Sequence, residues 1–191
     1  MARQTVRSFL AIELSKLLKE EARFFVETIQ NRYPGFRFIE PHNWHLTLHF
    51  LGDVEPEKIE PLSSHLKNAL AGIAPFSISL EGLGVFPNVQ KPRILWIGVS
   101  GDIPKLLALK KQVDAVLQKL HFQIETRSFH PHITIARIKE GTRHEYSISD
   151  QTLTFKAKTS DEIRSLTLFR SDLFPGGAQY TPLQVFSFGN P

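Results

Sequence analysis

The chain has no cysteine, one methionine and two tryptophans among its 191 residues. Without cysteine there is no disulfide, no thiol nucleophile and no cysteine-ligated metal site. No apolar run approaches the roughly 20 residues that cross a bilayer. The opening Met-Ala-Arg-Gln-Thr-Val-Arg lacks the apolar stretch and cleavage site of a secretory signal. These absences give the expectation of a cytoplasmic protein with no membrane partner. Neither a P-loop nor a dinucleotide fingerprint is present. Lys and Arg exceed Asp and Glu by 23 to 19, a net charge of +4 that favours anionic partners without requiring them. The length suits one domain or two small lobes with ample core.

What the chain does have is a motif written twice. Trp44-His45-Leu46-Thr47-Leu48 and His130-Pro131-His132-Ile133-Thr134-Ile135 both contain His-x-Thr-x with x aliphatic. Polar and apolar residues in strict alternation indicate a strand. Side chains two apart on a strand share a face at roughly 6–7 Å. Each strand is therefore expected to bury an aliphatic face and to present an imidazole beside a hydroxyl on the other.

Around these strands the chain reads as α+β. Val6 to Leu14 is a predicted strand. Ser15 caps a helix carrying Leu18, Ala22, Phe25 and Ile29, stopped by Tyr33-Pro34-Gly35. Phe36 to Glu40 is a short strand, and Trp44 to Leu51 is the first motif strand, broken by Gly52-Asp53. Pro56 opens a helix with Ile59, Leu62, Leu66, Leu70 and Ile73 on one face. Phe76 to Leu83 is a half-exposed strand, Gly84 to Pro92 a loop and Arg93 to Val99 an apolar strand. Asp102 caps a third helix with Leu106, Leu109, Val113, Val116 and Leu120. Phe122 to Glu125 is a short strand, and His132 to Ile138 is the second motif strand. Residues 141–150 are polar and irregular. Leu153 to Lys158, Ile163 to Arg170 and Leu183 to Phe188 are further strands, and between the last two Ser171 to Gln179 is a turn built on Pro175-Gly176-Gly177.

The order strand, helix, short strand, motif strand occurs over residues 6–51 and again over 93–138. An offset of 87 positions takes His45 to His132 and Ser15 to Asp102. Such duplication leads to the expected architecture, a single bilobal unit over 1–191. Two pseudo-twofold-related lobes, each an antiparallel sheet with helices on its outer face, would bring the motif strands together across a cleft.

Two imidazoles on opposite sides of a substrate can hold opposite protonation states, one a general base and one a general acid. In-line displacement at phosphorus needs that geometry, because a nucleophile loses a proton while a leaving oxygen gains one. The non-bridging oxygens need donors, which Thr47 and Thr134 can supply. The expected substrate is a phosphodiester, and no cofactor or metal is needed.

The paired motifs resemble the two His-x-Thr-x signatures of the 2H phosphoesterase superfamily. Phe9-Leu10-Ala11-Ile12, the run from His45 to Gly52, Gly82-Leu83-Gly84-Val85-Phe86-Pro87 and the run from Pro131 to Arg137 are similar to the LigT branch. Arg170-Ser171-Asp172-Leu173 and Tyr180 fit the same pattern. That branch comprises the RNA 2′,3′-cyclic phosphodiesterases, also called 2′–5′ RNA ligases. The resemblance implies a bilobal α+β fold. It implies hydrolysis of a terminal 2′,3′-cyclic phosphate to a 2′-phosphate, with 2′–5′ ligation by reversal of related chemistry. It implies His45 as proton donor and His132 as proton acceptor, an order the sequence alone does not fix. The expected partner is RNA ending in a cyclic phosphate, or a cyclic nucleotide, bound by a monomer. A non-catalytic RNA- or nucleotide-binding module using the same cleft is the alternative. His130 is a departure that adds a third imidazole near the site.

Other residues carry two readings each. Arg137 falls on the face opposite His132 if its strand is regular, and either binds phosphate through a bend or forms a surface ion pair. Arg93 either contacts RNA backbone or is a solvated strand end. Phe9 either stacks on a base or packs in the core, and Tyr180 is a substrate contact by resemblance. Trp44 lies on the aliphatic parity of its strand and reads as packing. His49 shares the parity of His45, and either edges the cleft or is a satisfied polar residue. His42, His45 and His49 superficially resemble zinc ligands, but His42 is off the shared face and no carboxylate alternates with them, so no metal site is expected.

Overall fold

A computed structural model describes residues 4–139, 154–175 and 177–189. Its frame is an antiparallel sheet with strands β1 (Val6–Glu13), β2 (Phe36–Phe38), β3 (His45–Val54), β4 (Phe76–Phe86), β5 (Ile94–Gly101), β6 (His132–Ile138), β7 (Asp161–Ile163), β8 (Ser165–Phe174) and β9 (Gly177–Ser187). The spatial order is β7-β4-β5-β6-β3-β1-β8-β9, with β2 added to β6. The four strands from β7 to β6 and the four from β3 to β9 are the two halves, and each motif strand lies at the inner edge of its half. Between them only Leu46 and Ile133 are in backbone register.

Three helices line one face, α1 (Lys16–Ile29), α2 (Pro56–Leu70) and α3 (Ile103–Lys119). Ser15 caps α1, its hydroxyl accepting from the Leu18 N–H at 3.2 Å. Leu18, Ala22, Val26 and Ile29 form its buried stripe. Phe25 lies beside that stripe and stacks on Phe155 at 4.8 Å. Pro56 opens α2, where its missing N–H costs no helical bond. On α3 the buried stripe ends at Leu117, while Val116 and Leu120 are only partly covered. Asp102 stands at the start of α3 without capping it. Its carboxylate accepts instead from the Ser77 N–H and from Lys105. No helix among the described residues is long and apolar enough to cross a membrane.

One large core fills the space between helices and sheet, taking Leu10 and Ile12 from β1, Leu46 and Leu48 from β3, and Ile133 and Ile135 from β6. The opposite face, called the cleft face below, carries a small second cluster of Phe9, Ala11 and Phe169 with Tyr180 against it. Alternation along β1 thus separates the two clusters as a period of two requires.

Several expected boundaries move. Gly52 does not end β3. It adopts φ of 70° at a register shift and the strand runs on to Val54. β4 extends to Phe86, into the expected loop. β8 and β9 pair from Ser165–Ser187 to Phe174–Gly177, so most of the expected turn over 171–179 is ladder. Phe122 to Glu125 is not a strand. β2 pairs with β6 of the other half, whereas its expected counterpart meets β3 through a side chain, His49 Nε2 lying 3.0 Å from the Gln123 carbonyl. Of the expected strand over 153–158, the described residues 154–158 hold an isolated bridge between Lys156 and Glu81. The expected polar stretch over 141–150 lies outside the described residues.

Candidate active site

The two motifs build the same local structure. The Nδ1 of His45 lies 2.7 Å from the Asn43 carbonyl, and the Nδ1 of His132 lies 2.6 Å from the His130 carbonyl. A carbonyl only accepts, so each Nδ1 carries the hydrogen and donates it. In the neutral ring this leaves Nε2 as a free acceptor. Both imidazoles are therefore oriented and tautomerically fixed by backbone two residues upstream. Thr47 and Thr134 are half-buried on the same faces as their histidines, cross-strand from Ala11 and Trp96.

Register across the seam sets the relation of the two motifs. Leu46 pairs with Ile133, antiparallel. On the cleft face His45 is thus brought towards Thr134, and Thr47 towards His132.

Aromatic rings hold both histidines. Phe9 lies 4.9 Å from His45, and Tyr180 meets His45 edge-on at 5.1 Å. Phe86 meets His132 edge-on at 5.0 Å, and Trp96 lies 5.9 Å from it. Neither Phe86, quoted only within the run from Gly82 to Pro87, nor Trp96 was among the expected site residues. Their signal was Gly84, cross-strand from Trp96. A Cβ there would come within 2.1 Å of the indole, so only glycine lets Trp96 lie across β4.

This packing shifts the histidines. Burial pushes the His45 pKa down to about 4, aided by the positive charges of Lys19 and Arg137 and by His132, and opposed by the Asn43 carbonyl. His132 is also lowered, first by burial and then by His130 and Arg137, against the His130 carbonyl. Both shifts favour the neutral ring while the cleft holds no anion. Burial raises the Tyr180 hydroxyl, while Arg137 and Arg7 pull it down.

Arg137 thus acts on both histidines and on Tyr180, which the regular-strand reading did not anticipate. The cause is a bulge. Leu95 pairs with Ala136 but Trp96 with Thr134, so Ile135 is an extra residue on β6. Ile135 and Ala136 both enter the core, and Arg137 returns to the cleft face. β3 repeats the device. Leu10 pairs with His49 but Ala11 with Thr47, leaving Leu48 extra. His49 is therefore turned to the helix face, where it is buried. Its Nδ1 lies 3.4 Å from Asp114, which also binds Lys110. It does not edge the cleft.

The remaining candidates separate. Phe9 is 3% exposed and stacks on Phe169 at 5.2 Å, so it is a packed wall behind His45 and not a free base platform. Tyr180 is in the site. Arg93 is exposed at the start of β5, where its backbone bonds Phe86 and Ile138. Among the described residues its side chain has no contact with either histidine. Trp44 is buried as expected, its Nε1 donating to the Ile39 carbonyl at 2.8 Å. His42 is exposed on a 3-10 turn, and its carbonyl accepts from Lys19. Among the described residues no group of three or more His, Asp or Glu side chains is placed to hold a metal ion.

Two backbone-oriented imidazoles, each with a hydroxyl on the same face of its strand and both within the field of Arg137, form an arrangement that can support acid–base chemistry on an anion. The family model for LigT-like phosphoesterases matches the chain twice, over residues 12–96 and 97–180. The chain belongs to the LigT-like phosphoesterase family. An RNA 2′,3′-cyclic phosphodiesterase of Methanothermobacter thermautotrophicus is 34% identical over 184 residues, covering 95% of this chain and 98% of that protein. A protein of the same name from Aquifex aeolicus is 34% identical over 190 residues, covering 97% and 99%. The crystal structure of a Thermus thermophilus protein, TT0787, superposes with a TM-score of 0.79 at 27% identity, over 96% of this chain and 98% of that one. Apo LigT of E. coli shares the fold with a TM-score of 0.74 at 24% identity, over 98% and 99%.

Proposed function

We propose that this chain hydrolyses the terminal 2′,3′-cyclic phosphate of RNA to a 2′-phosphate. The observation that carries the reading is the matched pair of histidines, each fixed through Nδ1 so that Nε2 is left for the substrate. The relatives named for this activity support the substrate class.

In the proposed step a water attacks phosphorus in line with the bond to O3′. His132 Nε2 accepts the water proton. The P–O3′ bond breaks, and O3′ takes a proton from His45 Nε2–H. One water is consumed, and the product carries a 2′-phosphate and a 3′-hydroxyl. Thr47 and Thr134 donate to the non-bridging oxygens as charge builds there, and Arg137 adds positive potential. His45 is neutral in the empty cleft, so it must gain its proton as the anion binds. The negative phosphate between the rings opposes the burial that lowered its pKa. With an RNA 5′-hydroxyl in place of the water and a 2′–5′ bond formed in reverse chemistry, the same groups serve ligation. The protein acts as a monomer and needs no metal.

The test is turnover of a nucleoside 2′,3′-cyclic phosphate, with the product assigned by phosphorus NMR. A 2′-phosphate is expected. A 3′-phosphate would reverse the bond cleaved, and binding without turnover would make the chain a binding module.

A further inference from the structure

The β8–β9 hairpin outruns its sheet. β8 pairs with β1 from Thr167 to Arg170, whereas β8 and β9 pair with each other on to Phe174 and Gly177. A two-stranded end is marginally stable by itself. The apolar residues of its tip do not seat it, because Leu173 is 65% exposed and Phe174 55%. The hairpin nevertheless lies against the active site. Tyr180 meets both Phe9 and His45 edge-on, at 5.0 and 5.1 Å. Side chains from the two elements before β3 reach it there. Asn43, which ends the 3-10 turn, donates from Nδ2 to the Ala178 carbonyl at 3.2 Å. On β2, Arg37 Nη2 lies 3.2 Å from where a Cβ on Gly177 would stand, so the guanidinium rests against the bare backbone of the tip.

Asn43 makes a second contact with the same site. Its carbonyl accepts the Nδ1–H of His45 at 2.7 Å. One residue therefore orients the imidazole with its backbone and, with its side chain, the strand whose ring covers that imidazole, since Ala178 stands two residues before Tyr180. The other half repeats the arrangement with different chemistry. The offset of 87 takes Asn43 to His130. The His130 carbonyl accepts from His132 Nδ1, and the His130 ring lies 6.3 Å from Phe86, which meets His132 edge-on. In both halves the residue two before the histidine joins that imidazole to its aromatic wall. We infer that Asn43 is a positioning residue of the reaction, its side-chain amide seating Tyr180 on His45 and so keeping water from the ring that protonates the leaving oxygen. The cover matters because burial is the largest influence on His45. Lys19, Arg137 and His132 also act on the ring, and Glu13 lies cross-strand from it. This rests on the phosphodiesterase reading above and extends it to a residue outside both motifs.

The experiment follows the His45 titration by NMR in the free protein, together with kcat/KM on a nucleoside 2′,3′-cyclic phosphate. It compares wild type with Asn43→Ala, Tyr180→Ala and the double variant. Asn43→Ala keeps the backbone carbonyl and loses the tether. It should raise the His45 midpoint from about 4 towards the usual value near 6.5. It should lower kcat/KM roughly two- to tenfold, the net worth of one hydrogen bond, and leave the His132 midpoint in place. That unmoved midpoint separates a lost tether from a lost fold. Tyr180→Ala should raise the His45 midpoint as well. The double variant should add little to it, because the amide acts through the ring. An unmoved His45 midpoint in Asn43→Ala, or a shift that adds in full to that of Tyr180→Ala, would overturn the positioning role. So would a shifted midpoint with kcat/KM unchanged. A wild type that does not turn over the cyclic phosphate overturns the phosphodiesterase reading instead.

Discussion

Leu46 and Ile133 pair across the seam between the two halves of the sheet, and both are fully buried. The pseudo-twofold relation of the motifs passes through this pair. Its two side chains enter the core while His45, Thr47, His132 and Thr134 flank it on the other face. The geometry of the site is therefore set by an apolar contact that touches no substrate. Leu46→Ala should cost about 2–5 kcal/mol of stability. It should also reduce turnover at temperatures where the variant remains folded. Thermal unfolding and assays well below the midpoint check both, and full activity in a destabilised variant would free the site from the seam.

The threonine hydroxyls can be removed with little change of shape. Thr47→Val and Thr134→Val should each lower kcat by about ten- to a thousandfold, the range for one transition-state donor, with the fold retained by circular dichroism. Wild-type turnover in both would leave the hydroxyls without a part in the chemistry.

Much of this was legible in the sequence and some was not, for one physical reason. The faces of His45, Thr47, His132 and Thr134 follow from a period of two, because each motif lies before its bulge. The faces of His49 and Arg137 do not, because each lies after one, and a single extra residue reverses every later side chain. Neither bulge is marked by glycine; the extra residues are Leu48 and Ile135. Ser15 read correctly as a cap, but Asp102 at the matching position found a better partner in the Ser77 N–H. The second short strand over 122–125 failed because the repeat is only approximate. Phe86 and Trp96 reach His132 by cross-strand pairing over long sequence separations, which periodicity does not report.

Proton uptake should accompany anion binding. In the free protein both histidines are held below the usual value near 6.5, His45 to about 4. A lowered histidine is neutral until the solution is more acidic than usual, so NMR titration should place both midpoints below that value. A bound cyclic phosphodiester analogue of constant charge should move the midpoints up. By linkage its affinity should rise as the pH falls from 7 towards the free-protein midpoints. Midpoints at or above the usual value in the free protein would remove the basis for this coupling.

Hydrolysis should survive exhaustive chelation. In the proposed mechanism the acid–base pair and the donors around it carry out the in-line displacement without a metal. Activity lost to EDTA and restored by one divalent ion would contradict this.

The central claim is that His45 protonates O3′ while His132 accepts a proton from water. Its most direct test is the kinetics of His45→Ala and His132→Ala on two substrates, one with the natural O3′ leaving group and one with a better leaving group there. Each variant should lose at least about a hundredfold in kcat/KM on the natural substrate, and the double variant much less than the product of the two losses. The better leaving group should rescue His45→Ala and leave His132→Ala impaired. Rescue of His132→Ala instead would reverse the roles, and full activity in either single variant would contradict the two-histidine mechanism.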